Sequence, residues 1–256
     1  MANFKHNSSS IKVISKMSSN IDTRVTPALH PGNVKTIDGY DEETAHCVGA
    51  TETAFSEAYE GVRLVHEARA AARTNPVWGE AQQLIETQKF ADKVAHRVAK
   101  QFDRTLANLQ TNIALIEREL SVPVASAAGS LVAGEVRTFC RNLEDGKRIG
   151  FVRSLIIGGD SASASAILGG PAFLSGLTNE SKDVLTRMFN ETAQPALSKR
   201  LKVMKGAADL IGQHAGLLFA EMEKAVGAPT HKVAKLRAAR DAAEQAFILR
   251  DNMIAG

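Results

Sequence analysis

Nine residues, Leu197, Leu201, Met204, Ala208, Ile211, Ala215, Leu218, Met222 and Ala225, recur in alternating steps of four and three. That spacing places all nine on one stripe of an α-helix, whereas a strand would scatter them over both faces. A second run, Ala95, Ala99, Phe102, Leu106, Leu109, Ile113, Ile116 and Leu120, keeps the same heptad register. Two narrow seams of this length leave little room for a sheet. Composition agrees: alanine occurs 39 times against 13 aromatic residues, a bias toward thin, closely packed helices. The chain is expected to be all-α.

Punctuation divides the helical pattern into four regions. Asp41-Glu42-Glu43 suits a helix start, with acids in the first turn, and apolar or small residues follow at Val48, Phe55, Ala58, Val62, Val65 and Ala72. Asn75-Pro76 breaks this helix, and a second from about Pro76 to Leu120 ends at Ser121-Val122-Pro123. Glycines at 146, 158–159, 169–170 and 176 cut the next stretch into short helices, with Asp160 as one cap. Thr178 or Asn179 then opens a long helical region to about Val226, kinked or broken at Pro195, and Gly227-Ala228-Pro229 turns the chain into an alanine-rich final helix. The expected architecture is two long antiparallel helical hairpins of coiled-coil or helix-bundle type, residues 41–125 and 179–256. They flank a short-helix cluster at 126–178 and follow an extended polar arm at 1–40.

The arm reading rests on Asn7-Ser8-Ser9-Ser10, Ser18-Ser19-Asn20, Pro27, Pro31-Gly32 and Gly39, which carry no helical period. Five Lys or Arg against two acids lie in residues 1–40, while residues 41–256 hold 26 of each sign, so the formal charge of +3 belongs to this segment. A neutral body argues against a grip on duplex DNA over many phosphates. The start Met1-Ala2-Asn3-Phe4-Lys5 continues polar, so no signal-peptide core is expected, and the least polar run, 122–134, is too short for a bilayer. The expected location is a virion if the chain is phage-encoded and otherwise the cytoplasm, with no membrane partner.

Motifs for chemistry are few. Seven histidines form no HExxH and no i, i+4 pair, adjacent His46 and Cys47 point to different helix faces, and Cys47 and Cys140 lie far apart, so neither a metal site nor a disulfide framework is expected. Gly158-Gly159-Asp160 and Gly169-Gly170-Pro171 follow no strand and match no phosphate-binding fingerprint. Ser161, Ser163 and Ser165 lack a GxSxG context. The chain is expected to be no enzyme and to need no cofactor; an enzyme would require a pocket of convergent polar groups near the loops at 158–176.

Two functions remain. Narrow seams commonly leave burial for a partner to complete, which points to Leu197, Leu201, Met204, Ile211, Leu218, Met222, Phe102, Leu109 and Ile116 as interaction residues in a homo-oligomer or an assembly with other virion proteins. An intramolecular bundle competes with this on even terms. Alternatively, Lys199, Arg200, Lys202 and Lys205 fall off the seam and offer phosphate contacts for a nucleic-acid-associated accessory protein, as do Lys232, Lys235, Arg237 and Arg240. Acids interleaved nearby favour an ordinary solvated face for both groups.

Arg141-Asn142-Leu143-Glu144-Asp145-Gly146-Lys147-Arg148, then Ile156-Ile157-Gly158-Gly159-Asp160, then Ala166-Ile167-Leu168-Gly169-Gly170-Pro171-Ala172-Phe173-Leu174-Ser175-Gly176-Leu177-Thr178 resemble a segment in uncharacterised helical proteins of tailed phages and prophages. The resemblance covers about 40 of 256 residues. It implies a phage context and brings no catalytic residue. The expected function is therefore a non-enzymatic structural or assembly protein, as a phage virion component.

Overall fold

The computed structural model describes the backbone of residues 22–127 and 131–254 and, within these, the side chains of 22–121 and 132–247. All regular structure among the described residues is helical. The helices are α1 (Ala45–Arg73), α2 (Glu80–Ala127), α3 (Leu131–Asn142), α4 (Asp145–Ile157), α5 (Ser161–Leu168), α6 (Ala172–Ser175), α7 (Asn179–Ala193), α8 (Pro195–His214), α9 (Leu217–Val226) and α10 (Thr230–Ile254). None of these is long and apolar enough to cross a membrane.

Side chains from α1, α2, α8 and α9 close a first core, joined by Val233 near the start of α10. Phe55 and Val62 of α1, Val98 and Phe102 of α2, Val203 and Ile211 of α8, and Leu218 and Val226 of α9 are all buried in it. The stripes of the two long helical regions therefore cover each other within one chain. A second, smaller core is built by α3 to α7 around Cys140, Val152, Ile156, Ile167, Leu185 and Phe189. Leu185 and Phe189 of α7 pack with the short helices, across the boundary expected at 178/179.

Local chemistry explains most of the helix ends. Asp160 accepts a hydrogen bond from Ser163 N at 3.0 Å and Thr178 Oγ1 accepts one from Ser181 N at 3.1 Å, satisfying first-turn donors of α5 and α7. Pro195 takes the first position of α8, where its missing N–H costs nothing. Gly176 and Gly227 end α6 and α9 at φ +71° and +78°, a conformation that side chains with a Cβ resist.

Three expectations change. Asn75-Pro76 ends α1 without starting α2: Asn75 Oδ1 accepts from Val77 N at 3.0 Å, and this turn holds the chain off the helix until Glu80. At its other end α2 runs through Pro123 to Ala127, since a proline removes one ladder bond while fixing a φ that is itself helical. The last seam is also not one helix, because residues 215–216 form a turn between α8 and α9. Ala215 and Leu218 still enter the first core on either side of that turn.

The part of the supposed arm that is described, residues 22–40, is folded against the bundle. Val25, Leu29 and Val34 are fully buried in the first core. Two 3-10 turns, Pro27–Leu29 and Pro31–Thr36, hold them there. Asp22 N donates to the Tyr59 hydroxyl at 2.6 Å, Thr26 N donates to Glu221 Oε2 at 3.0 Å, and the His30 ring meets Tyr59 edge-on at 5.1 Å. Apolar residues spaced by four and five have neither helical nor strand period, which is why the segment read as polar and extended. Lys5, Lys12 and Lys16 lie outside the described residues.

Side chains of α2 and α9 pack over buried Gly61 of α1, where a Cβ would come within 2.7 Å of Val94 Cγ1 and 3.8 Å of Met222 Cε. Gly61→Leu is expected to lower unfolding free energy by about 1–3 kcal/mol through overpacking. Gly61→Ala should cost less, because the gain in helix propensity, about 1 kcal/mol, offsets the shift forced on Val94. Urea denaturation of the two variants checks this ordering, and equal effects would refute it.

Candidate functional site

Sequence reasoning named the seam residues as contact points, and the structure places most of them inside. Phe102, Leu109, Met204, Ile211, Leu218 and Met222 are buried in the first core, so a partner protein has no access to them. Leu197, Leu201 and Ile116 are half-buried, and Ile116 packs against that core.

The basic face of α8 is similarly occupied. Lys199 is paired with Asp41 and, at 3.3 Å, with Glu43; Lys202 meets Asp38 at 2.6 Å and Lys205 meets Glu117 at 2.6 Å. Hydrogen bonding to Asp41 raises the Lys199 ammonium above its ordinary value, and the same contact holds the Asp41 carboxyl below its own. Three of the four cations thus strap residues 38–43 and α2 to α8, leaving exposed Arg200 with no ion pair among the described residues. On α10, Arg237 lies 3.5 Å from Asp92, and Arg240 pairs with Asp241 at 2.7 Å and Glu244 at 3.4 Å. Most of these cations are thus compensated, although Lys232 and Lys235 have no ion pair among the described residues.

A cleft of 780 Å³ opens where the two cores meet, between the C-terminal part of α2, the end of α5, α7 and α8. Its size is that of a small-molecule site, and it reaches the loop at Leu168-Gly169. Thr186 Oγ1 and Ser198 Oγ line it as buried hydroxyls with no hydrogen-bond partner. No histidine or cysteine lines it, so it presents no Ser-His or Cys-His pair. Among the described residues no group of His, Cys, Asp and Glu converges to hold a metal ion.

His46 and Cys47 do come together, with Cys47 Sγ 3.3 Å from His46 Nε2, although adjacent helical positions were expected to diverge. Burial pushes the Cys47 thiol up, away from the thiolate that a nucleophile needs. Cys140 is buried in the second core, and both cysteines are free.

The feature that sequence reasoning missed is the apolar exterior of the short-helix cluster. Phe139 is 57% exposed, Ile157 72% and Phe173 72%, and Val132 and Val184 are also exposed. On α3, Val132, half-buried Val136 and Phe139 follow an i, i+4, i+7 spacing beside the buried Ala133 and Cys140, so its apolar face is wider than the second core covers. Phe139 leans on half-buried Phe151 of α4 with ring centroids 5.2 Å apart, and Phe173 lies on α6, which packs on α3. The i, i+4, i+7 spacing was the available signal, hidden because α3 is short and Gly134 interrupts it. No protein-family model matches the chain, and neither a curated protein nor a solved structure does.

Proposed function

We propose that the protein is a non-enzymatic structural or assembly component that contacts copies of itself or other virion proteins through the apolar face of the short-helix cluster. The observation that carries the reading is the exposure of Phe139, Ile157 and Phe173 on a chain whose long helices already bury their seams. Exposed apolar side chains mark a contact surface where they lie together, as Phe139 does with Phe151 across α3 and α4. In this reading the long helices form a coiled-coil-type scaffold, and recognition falls to α3, α4 and α6. The phage setting rests on the resemblance within residues 141–178, which include Ile157 and Phe173 of that surface.

Light scattering on the purified chain tests the idea together with the double variant Phe139→Ser, Phe173→Ser. The wild type is expected to associate as concentration rises, and the variant to need at least about tenfold more protein for the same association, a loss of about 1.4 kcal/mol. Circular dichroism should show the variant equally helical. A wild-type chain that stays strictly monomeric at high concentration and is absent from purified particles by mass spectrometry would overturn the proposal.

A further inference from the structure

At the far end of the bundle from the cleft lies a small polar recess of 180 Å³, walled by the last turns of α1, the first turns of α2 and the α9–α10 turn. Arg69 and Arg73 enter it from consecutive turns of α1, Lys232 from the first turn of α10, and Glu80 and Thr87 from α2. Three cations against one carboxylate give it a formal charge of +2.

Two like charges at i and i+4 on one helix repel each other, and helices usually relieve this with acids. Arg63, two turns earlier on α1, is relieved in that way by Glu60 and Glu67. Arg69, Arg73 and Lys232 have no ion pair among the described residues, and the Glu80 carboxylate stands in the recess without pairing to them. Arg69 is half-buried, and burial followed by the Arg73 charge pulls its guanidinium below the ordinary value.

Gly227 makes this placement possible. The Arg69 guanidinium lies over its Cα where any Cβ would collide, and φ at Gly227 is +78°. The C-terminal end of α9 offers partial negative charge there, yet no carbonyl accepts a hydrogen bond from Arg69 among the described residues. A half-buried guanidinium beside a like charge, in a concave polar site where it makes no hydrogen bond or ion pair among the described residues, has its fork of donors available.

We propose that this recess binds a phosphate group, held by the Arg69 and Arg73 guanidiniums with Lys232 across from them. Planar guanidinium forks match tetrahedral oxyanions in two-bond geometry, and the recess admits one such group while being smaller than a site for a drug-sized ligand. The phosphate comes either as the free ion or as the end of a mononucleotide.

The test uses the full chain and thermal melting with inorganic phosphate, with AMP, and with sodium chloride at equal ionic strength as the control for general salt effects. At about ten times its dissociation constant, phosphate is expected to raise the melting temperature saturably by about 3–6 °C beyond the chloride control. Arg73→Gln, an exposed position, should remove that increment while leaving the ligand-free melt close to wild type. Glu80→Gln should tighten phosphate binding several-fold, an effect that a purely structural role for the arginines would not produce. AMP binding at least tenfold tighter than phosphate identifies a nucleotide as the source, and equal binding identifies the free ion. A phosphate shift no larger than that of chloride, or one that Arg73→Gln leaves intact, refutes the site.

Discussion

Phe55→Ala is expected to lower the free energy of unfolding by about 3–5 kcal/mol. The Phe55 ring is wholly buried where three helices meet, packing edge-on against Phe102 of α2 at 5.2 Å and facing His214 of α8 at 6.3 Å. Truncation removes the apolar surface transferred from water and leaves a cavity that the long helices cannot close without moving together. A domain of ordinary stability, about 5–15 kcal/mol, would lose a large share of it. The same truncation at Phe139, more than half exposed, should cost less than about 1 kcal/mol. Urea titrations of both variants read this contrast through the midpoint at unchanged slope. Similar midpoints for the two would mean that the three-helix junction is not where the stability resides.

Leu218→Ala should cost about 2–5 kcal/mol and leave the association state untouched. Leu218 is fully buried in the first core directly after the α8–α9 turn. Were the seam an intermolecular zipper, the same substitution would change the mass seen by light scattering and barely alter the melting of a single chain. The pair of measurements therefore separates the two uses of a heptad stripe. A dissociated Leu218→Ala chain with wild-type stability would return the seam to the role of an interface.

Much of this fold is legible in the sequence because its helix ends carry explicit chemistry. Asp160, Thr178, Gly176 and Gly227 each act where a cap or a helix stop was expected, and Pro195, expected as a kink or break, is a break that also starts the next helix. The α8–α9 turn is hidden because Gly216 sits between Ala215 and Leu218 without disturbing their heptad spacing. Residues 22–40 are illegible for the opposite reason: Val25, Leu29 and Val34 are buried by irregular turns whose apolar spacing matches no period. The lysines of α8 could be assigned off the seam from spacing alone. Their partners Asp38, Asp41 and Glu117 depend on which segments pack beside α8, which is tertiary information. The recess around Arg69 is invisible for the same reason, since Arg69 and Lys232 are 163 positions apart.

The division into two cores also sets an order of events during translation. The first core draws its buried residues from Val25 to Leu109 and then from Val203 to Val233, while the second is complete within Cys140 to Phe189. Val203 follows Leu109 by 94 positions, about 5–20 s of elongation at the usual 5–20 residues per second. For that interval α1 and α2 have only each other to cover their apolar stripes, and the faces that α8 and α9 bury stay in water. The short-helix cluster can close first, so the nascent chain carries a finished middle and an unfinished beginning. A chaperone that shields the open face of the α1–α2 hairpin for those seconds would keep the chain from aggregating before its second half arrives.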